Sequence, residues 1–115
     1  MERVNPIRMT MKESGEVYEL DFSREAVKFA ENRGFEPGDV TRFPATKVPE
    51  LWFYAFRMHH KSMSKQQTDR LLEKMGGMTP EILERLLMLY AQAAQSNNLQ
   101  DAEDFEKNAW ATVEM

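Results

Sequence analysis

Residues 48–60, VPELWFYAFRMHH, constrain this chain more than any other stretch. Leu51, Trp52, Phe53, Tyr54, Ala55, Phe56 and Met58 crowd into about two helical turns. Pro49 stands near the start, where a proline gives up an N–H that had no partner to lose. Thr46 is the expected N-cap, and the helix is expected to end around residues 60–62. On a helical wheel Glu50, the Tyr54 hydroxyl, Arg57 and Lys61 fall on one narrow line, and the other positions face apolar company. A helix of that kind has to be covered from several sides. The stretch therefore predicts a central core helix, with Leu51, Trp52, Ala55 and Phe56 inside.

The preceding segments supply the cover. Ile7, Met9 and Met11 alternate with Arg8, Thr10 and Lys12, and the alternation resumes with Tyr18, Leu20 and Phe22 after a Ser14-Gly15 turn. Two period-two runs around such a turn predict a β-hairpin with one apolar face. Ser23 then caps a short helix, with Phe22 and Val27 at hydrophobic-staple positions and Ala26, Phe29 and Ala30 facing inward. Gly34 and Phe35 fit a Schellman ending. Residues 36–47 read as a connector holding at most one helical turn, with Phe43 expected to pin it to the core.

After the central helix, Ser64 and Gln67 form a capping box. Leu71, Leu72 and Met75 line the short helix that follows, and Gly76-Gly77 ends it. Thr79-Pro80-Glu81 starts a last helix, with Met78 and Leu83 at staple positions. Ile82, Leu83, Leu86, Leu87, Tyr90, Ala93 and Ala94 make its core stripe, which is expected to reach about Ser96. Met88 and Leu89 widen the stripe and mark the candidate partner-binding surface. The expected class is α+β, mainly α: an N-terminal hairpin packed on a bundle of about four helices around the aromatic one. Residues 1–96 form one domain, and 97–115 an acidic, weakly structured tail.

Charge sharpens that boundary. The tail carries five acidic residues against Lys107, so the whole net charge of −4 lies there, while residues 1–96 balance at 14 against 14. An acidic chain with pI near 5.2 argues against a nucleic-acid surface. Without cysteine there are no disulfides, thiolate catalysis or cysteine metal sites. No apolar run is long enough for a membrane span, and MERVNPIRMT lacks the apolar region of a secretory signal, so a cytoplasmic protein is expected. Nine methionines suit a surface that adapts to varied partners, although several can fill core gaps.

Catalytic patterns do not emerge. His59 and His60 point about 100° apart on a helix and cannot share one metal unaided; they read instead as histidines favoured by a helix C-terminus. Asp101, Glu103 and Asp104 resemble a calcium loop in composition alone, because the glycine and final glutamate are misplaced. Gly76-Gly77 lacks the lysine and spacing of a phosphate-binding loop. A non-enzyme without cofactor or metal is expected.

The order of parts carries a resemblance. YELDFSREAVKFAE, a connector, the aromatic helix VPELWFYAFRMHH and a cap-initiated pair of helices resemble the small tail assembly chaperones of long-tailed bacteriophages and prophages, over residues 7–95. The GGMTPE junction and the acidic tail do not map onto them. The resemblance implies a protein that coats the helical tape measure protein in the bacterial cytoplasm and helps recruit tail tube subunits. Such chaperones are often made in two lengths through a −1 ribosomal slip, and Glu106-Lys107-Asn108 permits the codons GAA AAA AAC, which contain a slippery heptamer. Competing expectations are a tail or connector subunit that stays in the virion, and a small cytosolic protein-binding regulator. Self-association is compatible with all three.

Overall fold

The computed structural model describes residues 3–95. Strands β1 (Ile7–Thr10) and β2 (Val17–Leu20) pair antiparallel, with Ile7 opposite Leu20 and Met9 opposite Tyr18. Gly15 makes the turn possible at φ 74°, and the Met11 N–H donates to the Glu16 carbonyl at 2.8 Å. An isolated hairpin is marginal in water, so its anchors matter. The Asp21 N–H donates to the Ala55 carbonyl at 3.2 Å, and the Tyr18 ring meets Phe56 edge-on at 5.5 Å.

Helix α1 (Arg24–Asn32) starts where the Ser23 hydroxyl accepts from the Ala26 N–H at 3.0 Å. Phe22 and Val27, the staple pair, are both buried. The helix ends in a Schellman motif: Phe35 N–H to Ala30 carbonyl at 3.0 Å, Gly34 N–H to Glu31 carbonyl at 2.9 Å, with Gly34 at φ 81°. In the connector, α2 (Asp39–Arg42) is the single expected turn. Its anchor is Val40, which is fully buried. The expectation for Phe43 is overturned, since that ring is 53% exposed. Phe43 occupies the N-cap of the next helix, and its outward ring carries Arg42 at 5.3 Å.

The central helix α3 spans Pro44–Phe56, so it begins three residues earlier than a cap at Thr46 implies and ends sooner. Pro44, rather than Pro49, takes the first turn, and Thr46 is helical rather than capping. Pro49 lies inside the helix, where its missing N–H leaves the carbonyl of solvent-exposed Ala45 without a ladder donor; water can serve that group. Leu51, Trp52, Ala55 and Phe56 are buried as expected. The polar line is altered: Tyr54 is buried too, with its ring against Phe35 at 5.2 Å and Phe29 at 6.0 Å. Arg57 lies over the Phe29 ring at 3.8 Å, a cation–π contact that removes it from the solvated line.

Helix α4 (Lys65–Lys74) opens with the full Ser64–Gln67 capping box and closes in a second Schellman motif through Gly76 and Gly77. It is joined to the core by Trp52, whose indole N–H donates to the Thr68 carbonyl at 2.7 Å. Helix α5 (Pro80–Gln95) packs against α1 and α3. The architecture is α+β and mainly α: one hairpin, four substantial helices and the short α2 among the described residues. Buried residues from β2 and from all five helices share one core. The acidic tail and the proposed slip site lie outside the described residues.

Candidate functional site

Helix α5 is apolar around more of its circumference than the core fully buries. Thr79 caps its start by accepting from the Ile82 N–H at 3.2 Å, and Pro80 supplies the preset first turn. Leu86, Leu89, Tyr90 and Ala93 are buried, at the three- and four-residue spacing of one helical stripe. Tyr90 meets Phe22 at 5.1 Å and Phe35 at 5.6 Å, which ties α5 to the residues around α1. Burial pushes the Tyr90 hydroxyl up to about 12, with the Glu31 carboxylate adding to the shift.

On the outer face, Pro80, Leu83, Glu84, Leu87, Met88 and Ala91 line an open groove of about 390 Å³, and all but Glu84 are apolar. Their spacing again follows the helical repeat. Met88 is 48% exposed at its centre. Beside it, Arg3, Val4, Asn5, Glu81, Glu84 and Arg85 form a mixed-charge rim. Oriented apolar area with a polar border is the composition of a recognition surface.

The expected partner pair is therefore split. Met88 belongs to the exposed face. Leu89 does not: it has no exposed surface. One residue along a helix turns the side chain by about 100°, and Leu89 lies three positions from Leu86, on the core stripe. Leu86 and Tyr90 are core residues as expected, whereas Leu83 is half-buried and reaches the outer groove. Leu83, Leu87 and Ala91 are the site residues that the sequence leaves unmarked as such. Their signal was the width of the stripe, since a helix with apolar residues at 82, 83, 86, 87, 88, 89, 90, 91, 93 and 94 exceeds what one core contact can cover.

Elsewhere, the two histidines fall beyond the end of α3 and grip β2. His60 Nε2 accepts from the Glu19 N–H at 3.1 Å, and His59 Nε2 lies 3.2 Å from the Glu19 carboxylate. The His60 N–H donates to the Phe56 carbonyl at 2.7 Å in the turn that follows α3, and the two rings link helix to hairpin. A larger hollow between the start of α3 and α4 is lined by Thr46, Glu50, Glu73 and the Lys65–Asp69 ion pair, closed at 2.7 Å. Among the described residues no group of three or more His, Asp or Glu could hold a metal, and no helix is long and apolar enough to cross a membrane.

The model of a family described as a domain of unknown function, DUF5055, matches residues 1–115, and the chain belongs to that family. No curated protein and no solved structure matches it.

Proposed function

We propose that this chain is a non-catalytic tail assembly chaperone that works in the bacterial host cytoplasm. In this reading it covers the apolar stripe of a tape measure protein with the outer face of α5 and helps bring tail tube subunits to that complex. One observation carries the proposal: the exposed Pro80, Met88 and Ala91, flanked by Leu83 and Leu87 that the core only half-buries, form a second apolar helical stripe. An amphipathic client helix presents its anchors at the same three- and four-residue spacing, so two such faces can interdigitate. The resemblance of residues 7–95 to such chaperones supplies the identity of the client.

The physical need is plain. A long tape measure helix with an uncovered apolar stripe aggregates before the tube forms around it. Methionine at the groove's centre adapts to stripes of varied shape. Many weakly held copies along one client combine through avidity yet remain displaceable when the tube arrives. Glu84 within the groove and the charges beside it keep the free surface from associating indiscriminately.

The test is a photo-crosslinking amino acid placed at position 88 in cells that assemble the particle. Capture of the tape measure protein is expected, together with absence of the chaperone from purified virions. Retention in virions would instead identify a structural tail or connector subunit. Capture of a host protein alone would point to a regulator.

A further inference from the structure

The hairpin has two outward edges, and only one is closed. Met11 and Glu16 share a ladder hydrogen bond, so with strict alternation Met9–Tyr18 and Ile7–Leu20 are the bonded pairs. The main-chain groups of Arg8 and Thr10 on β1, and of Glu19 on β2, therefore point away from the partner strand. On the β2 side the Glu19 N–H donates to His60 and the Asp21 N–H to the Ala55 carbonyl. On the β1 side the Gln92 side chain holds both main-chain groups of Val4, accepting at 2.7 Å and donating at 3.3 Å, and Pro6 has no N–H. Beyond them the N–H and C=O of Arg8 and of Thr10 have no partner among the described residues. An open stretch of this kind is a template for another strand.

The residues of β1 narrow which strand fits. An added strand has to bond through Arg8 and Thr10, because the main-chain groups of Met9 are turned toward Tyr18. For a second β1 running antiparallel, pairing these residues with one another leaves three registers. Arg8 opposite Arg8 sets like charges face to face, and Thr10 opposite Thr10 sets Arg8 against Lys12; both are destabilising. In the third, Arg8 of each copy lies opposite Thr10 of the other, and Met9 lies opposite Met9. Lys12 then falls opposite Pro6, so no cation directly opposes a cation. Arg8 is already neighboured across the hairpin by Glu19. The two Arg8 side chains approach only diagonally and in solvent, where salt screens them.

The inner face agrees with the same register. Ile7, Met9 and Met11 pack partly buried against the core and alternate with exposed Arg8, Thr10 and Lys12. With Met9 opposite Met9, Ile7 of each copy meets Met11 of the other, and the apolar face continues unbroken across the junction. A hollow of about 550 Å³ beside this edge has Met9, Met11 and Met75 in its wall. Flexible thioethers reshape to a new neighbour. The edge is self-complementary on both faces, which is the condition for a two-fold contact between identical surfaces.

We propose that two copies of this chain join β1 to β1, antiparallel and with Met9 opposite Met9, into one sheet ordered β2-β1-β1-β2. Each Arg8–Thr10 pair exchanges both main-chain hydrogen bonds, and the hairpin gains the width that a two-stranded sheet lacks. This contact uses none of the α5 groove residues and stands whether or not that groove binds a client.

Sedimentation equilibrium of the full chain over a concentration series tests it. The parent is expected to shift from monomer to dimer mass. Thr10→Pro is expected to raise the dissociation constant at least about tenfold, because it deletes an outward N–H that the hairpin itself does not use. The register is read from single cysteines, in a chain that otherwise has none. Met9→Cys is expected to form an intermolecular disulfide at least about tenfold faster than Thr10→Cys, since directly opposed residues at a non-bonded position have Cα atoms about 4.5 Å apart, within disulfide reach. Thr10 is the more exposed of the two sites, so random collision gives the reverse order. A parent that stays monomeric up to its solubility limit would overturn the proposal. So would a dimer that Thr10→Pro leaves intact, or a Thr10→Cys variant that links as fast as Met9→Cys.

Discussion

Phe56 joins the hairpin to the helical layer, and truncating it isolates that junction. The ring is 1% exposed and lies edge-on to Trp52 at 5.0 Å and to Tyr18 at 5.5 Å. Phe56→Ala removes a fully buried ring whose cavity the rigid neighbours cannot refill, at a cost of about 3–5 kcal/mol. The edge-on aromatic contacts lie within that figure, each worth about 0.5–1.5 kcal/mol in a double-mutant cycle. Domains of this size hold only about 5–14 kcal/mol in total, so the variant is expected to lose at least about a fifth of the parent's stability, and to unfold outright if the parent is marginal. Urea denaturation followed by far-UV circular dichroism gives the number, with Phe56→Leu as a milder control. A cycle of Phe56→Leu with Tyr18→Leu isolates the hairpin contact. A loss below about 1 kcal/mol for Phe56→Ala would refute the burial of this ring between hairpin and helix.

Other expectations follow from single contacts. Tyr90 Oη is buried without a hydrogen-bond partner among the described residues, so Tyr90→Phe is expected to gain about 1 kcal/mol in chemical denaturation at neutral pH. The folded state holds the Tyr90 proton to about 12, above the ordinary value near 10, so the stability this group contributes is present below pH 10 and falls by up to about 1.4 kcal/mol per pH unit above it. Denaturation curves at about pH 9 and about pH 11 should show a smaller loss in Tyr90→Phe than in the parent. Ser64→Ala removes the bond that the Ser64 hydroxyl accepts from the Gln67 N–H at 3.1 Å, and a loss of about 1 kcal/mol is expected by thermal melting. Leu89→Lys is expected to unfold the domain, whereas Met88→Lys leaves the melting temperature nearly unchanged; matching effects would put the two side chains on the same face.

The local signals were the most legible part of this chain. Ser23, Gly34, Ser64, Gln67 and Thr79 act through side chains and backbone only a few residues away, so their spacing in sequence already contains the geometry. The hairpin alternation was legible for the same reason. What escaped depends on contacts made across the fold. Phe43 reads as an anchor by its hydrophobicity, yet the N-cap backbone at φ −132° turns it outward and the smaller Val40 fills the core. Pro49 reads as the start of a helix because proline usually is, but Pro44 was available to begin it one turn sooner. Leu89 shows the limit most clearly. Ten apolar positions on α5 after Pro80 permit more than one stripe, and only the placement of Phe22, Phe35 and α1 decides which rotation is buried. The link from His59 and His60 to Glu19 had no sequence signal, since it spans forty residues of chain and needs the hairpin's orientation.

The central claim is that the outer face of α5 covers a client helix. Its most direct test is co-expression with a tape measure protein, the proposed client, scored as the soluble yield of that protein. Two residues of the groove are exposed enough to change without touching the core, so the comparison is between the parent and the double variant Met88→Lys, Ala91→Lys. The parent is expected to raise the soluble yield several-fold and the double variant to give none of that gain, with both melting at the same temperature. A parent that leaves the yield unchanged, or a double variant that protects the client as well as the parent does, would contradict the claim.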